Sequence, residues 1–170
     1  MTEKTHFVVF TLDNQKFALP LASVEKITRA VAIRPLPKSS DMVLGVINIQ
    51  GRIIPVLDLR IRFGIPPRPV LVTDHLIITR TATRTLALLV DTVLDILESD
   101  RQHVTDQSAI LDHMQYVEGV LKIEGGMVLI NDIERMLSMD EAKALDQALQ
   151  KNTKRRKQTE STAQSTKAAG

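Results

Sequence analysis

The histidines and carboxylates are the residues of this sequence that could carry chemistry. The four histidines are His6, His75, His103 and His113. No two of them have the short spacing of a zinc motif. His103 and His113 could meet Asp106 and Asp112 in space, but a solvated loop explains this stretch more simply. The sequence has no cysteine, which excludes a disulfide framework, a thiolate metal site and a cysteine nucleophile.

Three carboxylates stand at the ends of apolar runs, namely Asp58, Asp91 and Asp95. A glycosidase-type acid pair would need two of them to face one cleft. Each has a simpler role, because Asp58 can cap a short helix over residues 59–63 and Asp91 can satisfy backbone donors at a strand bend. No phosphate-cradling glycine loop and no nucleophile elbow occurs. The residues therefore predict a protein that works by binding and is not an enzyme.

The composition limits the architecture that must position these residues. A chain of 170 residues, 44% hydrophobic and 25% charged, has room for one ordinary domain or for two small units that share a core. Aromatic residues make up only 3%, which argues against a surface that stacks nucleic-acid bases. The longest apolar stretch, residues 42–49, is far shorter than the roughly 20 residues of a membrane span. The amino terminus lacks a secretory pattern, so we expect a cytoplasmic protein without membrane insertion.

Charge divides the chain into two parts. Residues 151–170 hold six of the 22 Lys and Arg residues and one of the 20 Asp and Glu residues, so residues 1–150 keep 16 basic and 19 acidic residues, a net charge of −3. The last 20 residues contain no Leu, Ile, Val, Phe or Met. We therefore predict a folded domain over 1–150 and a disordered basic tail over 151–170. The basic run 154–157 could touch nucleic acid or anionic lipid, but a solvated tail is the simpler interpretation.

Short β-rich runs separated by turn residues indicate a mainly β fold. The predicted strands cover residues 7–12, 17–19, 24–34, 45–49, 52–57, 75–80, 85–97, 116–123 and 127–131. Gln50-Gly51 predicts a tight two-residue hairpin turn, and Pro55 predicts an edge strand or a bulge. Apolar residues on both faces of 52–57 predict that this strand is covered on both sides. The run 85–97 is long for one strand, so we expect a bend near Asp91.

Two helices are predicted at the end of this region. The first is short and covers residues 133–137. The second begins at Ser138, which together with Glu141 has the pattern of a capping box. Ala142, Leu145 and Leu149 form its apolar stripe.

The stretch GVINIQGRIIPVLDLR, residues 45–60, resembles the hallmark of the CheW-like family of chemotaxis coupling proteins. The matching residues are Gly45, Val46, Asn48, Gly51, Pro55, Val56, Asp58, Leu59 and Arg60. Residues 7–12, 17–20, 36–37, 89–93, 119–120 and 127–130 resemble further elements of the family, in the expected order. The resemblance covers about residues 6–149.

This resemblance implies two intertwined five-stranded β-barrels that share a core, with short helices at the carboxyl end. It also implies a non-catalytic, cofactor-free adaptor that couples the cytoplasmic tips of chemoreceptors to a CheA-type histidine kinase. The residues that the resemblance assigns to partner binding are Val24, Lys26, Gly45, Asn48, Gln50 and Gly51.

The chain departs from the family pattern at three positions. Lys26 replaces a usual glutamate, Gln50 a usual arginine, and Asn131 a usual leucine. The first two lie in the region that faces the receptor in the family. We therefore expect kinase binding together with altered or weakened contact with ordinary receptor tips. The alternative is a CheW-like scaffold or regulator of another chemosensory-type pathway with a non-standard partner.

Overall fold

The computed structural model describes residues 3–100, 104–105 and 116–168 as two mixed β-sheets and a carboxyl-terminal helix. The strands are β1 (Lys4–Leu12), β2 (Gln15–Pro20), β3 (Val24–Arg29), β4 (Val43–Ile49), β5 (Arg52–Asp58), β6 (His75–Arg80), β7 (Thr85–Val90), β8 (Thr92–Asp100), β9 (Val104–Thr105), β10 (Val117–Ile123) and β11 (Gly126–Asn131). The helices are α1 (Leu59–Phe63) and α2 (Met139–Ala168), with 3-10 turns at Leu21–Ser23 and Ile133–Arg135.

The first sheet joins the two ends of the chain. Its strand order is β8-β1-β2-β11-β10-β9. The hairpins β1–β2 and β10–β11 are antiparallel, and they meet through the parallel pair β2–β11, where Phe17 lies opposite Leu129. The inner face of this sheet buries its own apolar cluster, which includes Phe7, Val9 and Val128.

The second sheet is built from one continuous segment, residues 24–90. Its strand order is β3-β6-β7-β5-β4, with a parallel contact between β5 and β7. Its inner face buries a separate cluster, which includes Ile54, Val56 and Leu76. Past the end of β3, the backbone of Arg34 forms a bridge with Val46 on β4.

Among the residues that the structure describes, neither sheet closes into the barrel that the family resemblance implies. Within the described residues, β8 and β9 are the two edges of the first sheet, and β3 and β4 are the two edges of the second. The Arg34–Val46 bridge brings the second sheet close to closure, because it joins the continuation of one edge strand to the other edge strand. The short strand β9 gives the first sheet six strands instead of five.

A core shared by the two halves is confirmed. The largest apolar cluster contains Phe10 and Phe17 from the first sheet, Leu57 and Leu88 from the second, and Leu145 from α2. Its members are almost fully buried, so the two sheets and the helix bury their apolar faces against one another.

The predicted bend near Asp91 is also confirmed. At this bend the chain passes from the second sheet to the first. The strand β7 ends at Val90 in the second sheet, and β8 begins at Thr92 in the first. The predicted strand 24–34 is shorter than expected, since β3 ends at Arg29.

The strand β5 corrects two details of the sequence interpretation. It lies inside the second sheet and not at its edge, but only residues 56–58 pair with β7, so Pro55 stands where β5 has β4 alone as a neighbour. Opposite this region, β4 carries an irregularity between Val43 and Gly45. Residues 54–58 are buried, whereas Ile53 is 40% exposed, so only the second part of the strand is covered on both sides.

The local signals for helix ends are confirmed. Asp58 caps α1 by accepting a hydrogen bond from the Arg60 amide at 3.1 Å. Ser138 and Glu141 form the reciprocal capping box, with both hydrogen bonds at 3.1 Å. The predicted helix over 133–137 is a 3-10 turn at Ile133–Arg135.

The sequence predicts a disordered basic tail over 151–170, and the structure draws most of these residues as a helix. The helix α2 continues to Ala168 without a break. The physical ground for the prediction is nevertheless present, because residues 151–168 are exposed apart from half-buried Asn152. A capped helix extends at little extra cost once it is nucleated, and the Lys, Arg, Gln and Ala residues here have high helix propensity.

Candidate partner-binding surface

The β4–β5 turn carries three of the predicted partner-binding residues. Gln50 and Gly51 have positive φ angles of 52° and 83°, as a tight hairpin turn with matched strand twist requires. The Asn48 side chain accepts a hydrogen bond from the Gly51 amide at 2.9 Å, so it braces the turn. All three residues are exposed, and the turn projects into solvent at one end of the second sheet.

An ion pair connects this turn to β3, although β3 and β4 are opposite edges of the sheet. Arg52 donates to Glu25 at 2.6 Å and to the Thr85 hydroxyl at 3.1 Å. Arg80 lies 3.9 Å from the same glutamate. The hydrogen bond from Arg52 lowers the pKa of Glu25 and, in return, raises the pKa of Arg52. The beginnings of β3, β5 and β7 therefore form one continuous polar surface.

Lys26 and Gln50 are both exposed at this end of the sheet. Within the described residues, neither side chain takes part in a hydrogen bond or an ion pair, so the structure does not bring the two into contact. The charged pair that it does form is Glu25 with Arg52, one position before Lys26 and two positions after Gln50. The signal for this pair was present in the sequence as opposite charges beside the two predicted positions.

Val24 and Gly45 are the least accessible of the predicted partner-binding residues. Val24 is half-buried and packs against the shared core. Gly45 is buried, with a φ of 154°, and a Cβ atom there would collide with the carbonyl oxygen of Arg34. Gly45 thus permits the close approach of the Arg34 segment to β4. A glycine inside a strand run, away from any turn, is a signal for such an approach.

The three carboxylates considered for catalysis occupy separate places. Asp58 is buried as the cap of α1. Asp95 is exposed on β8 and accepts a hydrogen bond from the Ile96 amide at 2.7 Å. Asp91 accepts from Arg60, from Arg68 at 2.7 Å and from the Asp13 amide at 2.8 Å. The predicted role of Asp91 at the strand bend is confirmed, and the two arginines are additional partners.

A charge network fixes the point at which the chain changes sheets. Arg68 donates to both oxygens of Asp74, at 2.9 and 2.7 Å, and also to Asp91. Burial would raise the pKa of Asp74, but the hydrogen bonds from Arg68 and from the Leu71 amide outweigh burial and lower it. The carboxylate beside it raises the pKa of Arg68. The Arg68–Asp74 pair therefore stays charged and, together with the Arg68–Asp91 hydrogen bond, holds the 65–74 loop against the strand bend.

The described residues contain neither a candidate metal cluster nor a helix that could span a membrane. No group of three or more His, Cys, Asp or Glu side chains in the described residues is placed to hold a metal ion. The cluster of His103, His113, Asp106 and Asp112 lies outside the described residues. In the part of the chain that the structure covers, no helix has both the length and the apolar composition of a bilayer span.

Comparison with known proteins shows which family this chain resembles. The CheW-like domain family matches residues 6–141. The chain belongs to the CheW-like family. This match includes the described strands of both sheets apart from the first two residues of β1, whereas α2 after Glu141 lies beyond it.

Proteins of the CheW-like family from several bacteria are similar to this chain. The chemotaxis protein CheW of Rhizobium meliloti (strain 1021) is 29% identical over 140 residues, which are 81% of this chain and 90% of that protein. The chemotaxis protein CheW of Thermotoga maritima is 31% identical over 129 residues, which are 75% of this chain and 84% of that protein. The crystal structure of the scaffolding protein TtCheW from Thermoanaerobacter tengcongensis superimposes with a TM-score of 0.75 at 26% identity, over 83% of this chain and 92% of that one.

Proposed function

We propose that this protein is a non-catalytic adaptor of chemotaxis signal transduction in the cytoplasm, which couples chemoreceptor tips to a CheA-type histidine kinase. The observation that carries the proposal is the CheW-like match over residues 6–141, in which both sheets and their shared core are present. The relatives are named as chemotaxis proteins, and the similar solved structure as a scaffolding protein.

The contacts of the site residues support an adaptor. Asp58 and Asp91, which the sequence offered as possible acids, are engaged by backbone amides and arginines. The surface at the end of the second sheet has an exposed turn and an exposed ion pair, which suit recognition of another protein. An adaptor needs two such surfaces in a fixed orientation to each other. The shared core holds the two sheets together and so fixes the orientation of their surfaces.

Reconstitution of the ternary complex tests the proposal. Receptor cytoplasmic fragments from the same organism are assembled on vesicles, and the kinase is added with or without this protein. We expect the kinase to sediment with the vesicles, and its autophosphorylation to change, only when the protein is present. Sedimentation of the kinase that is independent of this protein would contradict the proposal.

One observation favours the alternative, a CheW-like scaffold with a non-standard partner. Lys26 and Gln50 are exposed and unpaired within the described residues, at positions where the family pattern has a glutamate and an arginine. Lys26 adds a positive charge to β3, the strand on which Glu25 pairs with Arg52 and Arg80. Charges at the rim of an interface select among partners more than they set affinity.

A double-mutant cycle separates the two functions. The change Lys26→Glu with Gln50→Arg should strengthen binding to a standard receptor tip on the order of fivefold, and each single change should do less. Lys122→Glu, an exposed charge reversal on β10 of the other sheet, is the matched control. If the wild type already binds such tips tightly and the double variant binds no better, these positions do not select the receptor.

A further inference from the structure

A groove separates the second sheet from the carboxyl-terminal helix. Its one wall is formed by β4, the beginning of β5 and the segment after β3, and its other wall by α2. We call it the β4–α2 groove. Its lining includes Val31, Arg34, Asn48, Ile53, Asn152 and Arg156. The helix wall lies beyond the residues that the CheW-like family matches, and Asn48 is one of the predicted partner-binding residues.

The wall that carries Arg34 is firmly held. The Arg34 amide donates to the Val46 carbonyl at 2.9 Å, and the Val46 amide donates back at 2.8 Å. Two residues further on, Leu36 is buried in the shared core. The backbone of this segment is therefore fixed, while the Arg34 side chain remains exposed.

Unpaired cations border the groove and continue along the helix. Arg34 and Arg156 line the groove itself. A second hollow on the adjoining face of the helix is lined by Lys38, Lys151, Lys154 and Arg155. Within the described residues, none of these six cations forms an ion pair, and neither lining contains an acidic residue. This surface thus carries a positive potential that the protein itself does not neutralise.

The groove also has apolar contact area. Val31 is 44% and Ile53 40% exposed, and both line the same groove as the two arginines. A sugar-phosphate backbone would gain nothing from these aliphatic side chains, and the described lining has no aromatic ring on which a base could stack. An acidic peptide segment with an apolar side chain fits both features.

We propose that the β4–α2 groove binds an acidic, partly apolar segment of a protein partner, with Arg34 and Arg156 as its anion contacts. This inference rests on the proposed function, since the partners to be tested are the kinase and the receptor. The basic half of α2 then acts as an electrostatic addition to the CheW-like domain. It favours acidic partner segments and repels basic ones.

Charge reversal in the full-length protein tests the proposal. Arg34→Glu and Arg156→Glu are compared with Lys167→Glu, a control on the same helix two turns or more beyond the groove. Binding of the kinase regulatory domain and of the receptor fragment is measured by titration calorimetry at low and at physiological salt. We expect each groove variant to weaken one of the two complexes about tenfold at low salt, with less effect at higher salt, and the control to leave it unchanged. Val31→Ser should weaken the same complex at both salt concentrations, because it removes an apolar contact.

The outcomes distinguish the inference from the function on which it rests. If the wild type binds neither protein, the proposed function falls and the inference falls with it. If the wild type binds and both arginine variants bind equally well, the function stands and the groove is not the docking site. Binding of duplex DNA by the wild type as tightly as either protein, lost in the arginine variants but kept in Val31→Ser, would assign the surface to nucleic acid and overturn the proposal. Circular dichroism confirms that each variant is folded.

Discussion

Replacement of Gly45 by alanine should separate the Arg34 segment from β4. The backbone at Gly45 has a φ of 154°, a value that residues other than glycine rarely adopt. A Cβ atom would overlap the carbonyl oxygen of Arg34 and would lie 2.7 Å from its carbonyl carbon and 3.0 Å from Cγ2 of Ile33. The first two of these atoms belong to the backbone, so a side-chain rotation cannot relieve the clash.

The structure gives the size of the effect. The clash breaks the two backbone hydrogen bonds between Arg34 and Val46, each of which contributes about 1 kcal/mol. If the alanine keeps the strained backbone, the strain costs roughly 1–3 kcal/mol. We therefore expect Gly45→Ala to lower the free energy of unfolding by about 3–5 kcal/mol.

Gly51→Ala is the matched control. Gly51 also has a positive φ, 83°, but a Cβ atom there would meet nothing within 4 Å. This change should cost only about 1 kcal/mol, because it adds backbone strain without a clash. Both free energies are measured by urea unfolding, and hydrogen exchange of the Val46 amide reports on the bridge itself.

Equal destabilisation by the two alanines would refute the reasoning, as would a Val46 amide that stays protected in Gly45→Ala. In either case the Arg34 segment would not depend on the missing side chain. Gly45 would then have to be considered again as a direct partner contact, as the family resemblance suggests.

Four further outcomes are expected. Ile54→Ala should lower the free energy of unfolding by about 2–5 kcal/mol, measured in urea, because Ile54 is 2% exposed and its loss leaves a cavity. Asn131→Leu should raise it by about 1–3 kcal/mol, since the buried Asn131 amide has no hydrogen-bond partner in the described residues. Asp74 has a lowered pKa in the folded state, so its charged form stabilises the fold above its ordinary value of 3.8, and this contribution is lost as the pH falls below that value. Asp74→Asn should therefore be less stable than the wild type at neutral pH, with a gap that narrows in acid. Deletion of residues 152–170 should change the free energy of unfolding by well under about 1 kcal/mol, as measured by thermal melting, because the removed half-helix buries no core residue.

Contrary results would each locate an error. A wild-type urea midpoint for Ile54→Ala would place Ile54 outside the core. A loss of stability in Asn131→Leu would mean that the amide has a favourable contact. If the difference in stability between Asp74→Asn and the wild type does not narrow in acid, protonation of Asp74 does not contribute to acid unfolding. A large drop in melting temperature on truncation would show that the tail helix supports the core.

Features set by neighbours in the sequence could be predicted from the residues. The turn at Gln50-Gly51, the cap at Asp58 and the capping box of Ser138 and Glu141 each depend on atoms a few positions apart. The two halves around a shared core were implied by the family resemblance, and the structure contains such a core.

Features set by distant parts of the chain could not be predicted in this way. The sequence of the run 85–97 predicts a bend, but it does not predict that the chain changes sheets there. It also does not predict that Asp91 binds two arginines. The Arg52–Glu25 contact and the Arg34–Val46 bridge depend on how the second sheet curls. At the candidate site, the basic run 154–157 was visible, but its position opposite Arg34 follows only from the path of α2. The composition of this run shows that it buries no apolar surface, but it does not show that α2 continues through it.

The strand order determines when each half can form during synthesis. All five strands of the second sheet lie within residues 24–90, so this sheet is complete in a nascent chain that ends at Val90. The hairpin β1–β2 is made earlier, but its parallel partner β11 ends at Asn131, more than 100 residues after β2. Until the ribosome has released that strand, Phe7, Val9 and Ala18 have no apolar face to cover them. One face of the first hairpin to be translated is thus among the last surfaces to be buried, and it is a part of the nascent chain that needs protection from aggregation.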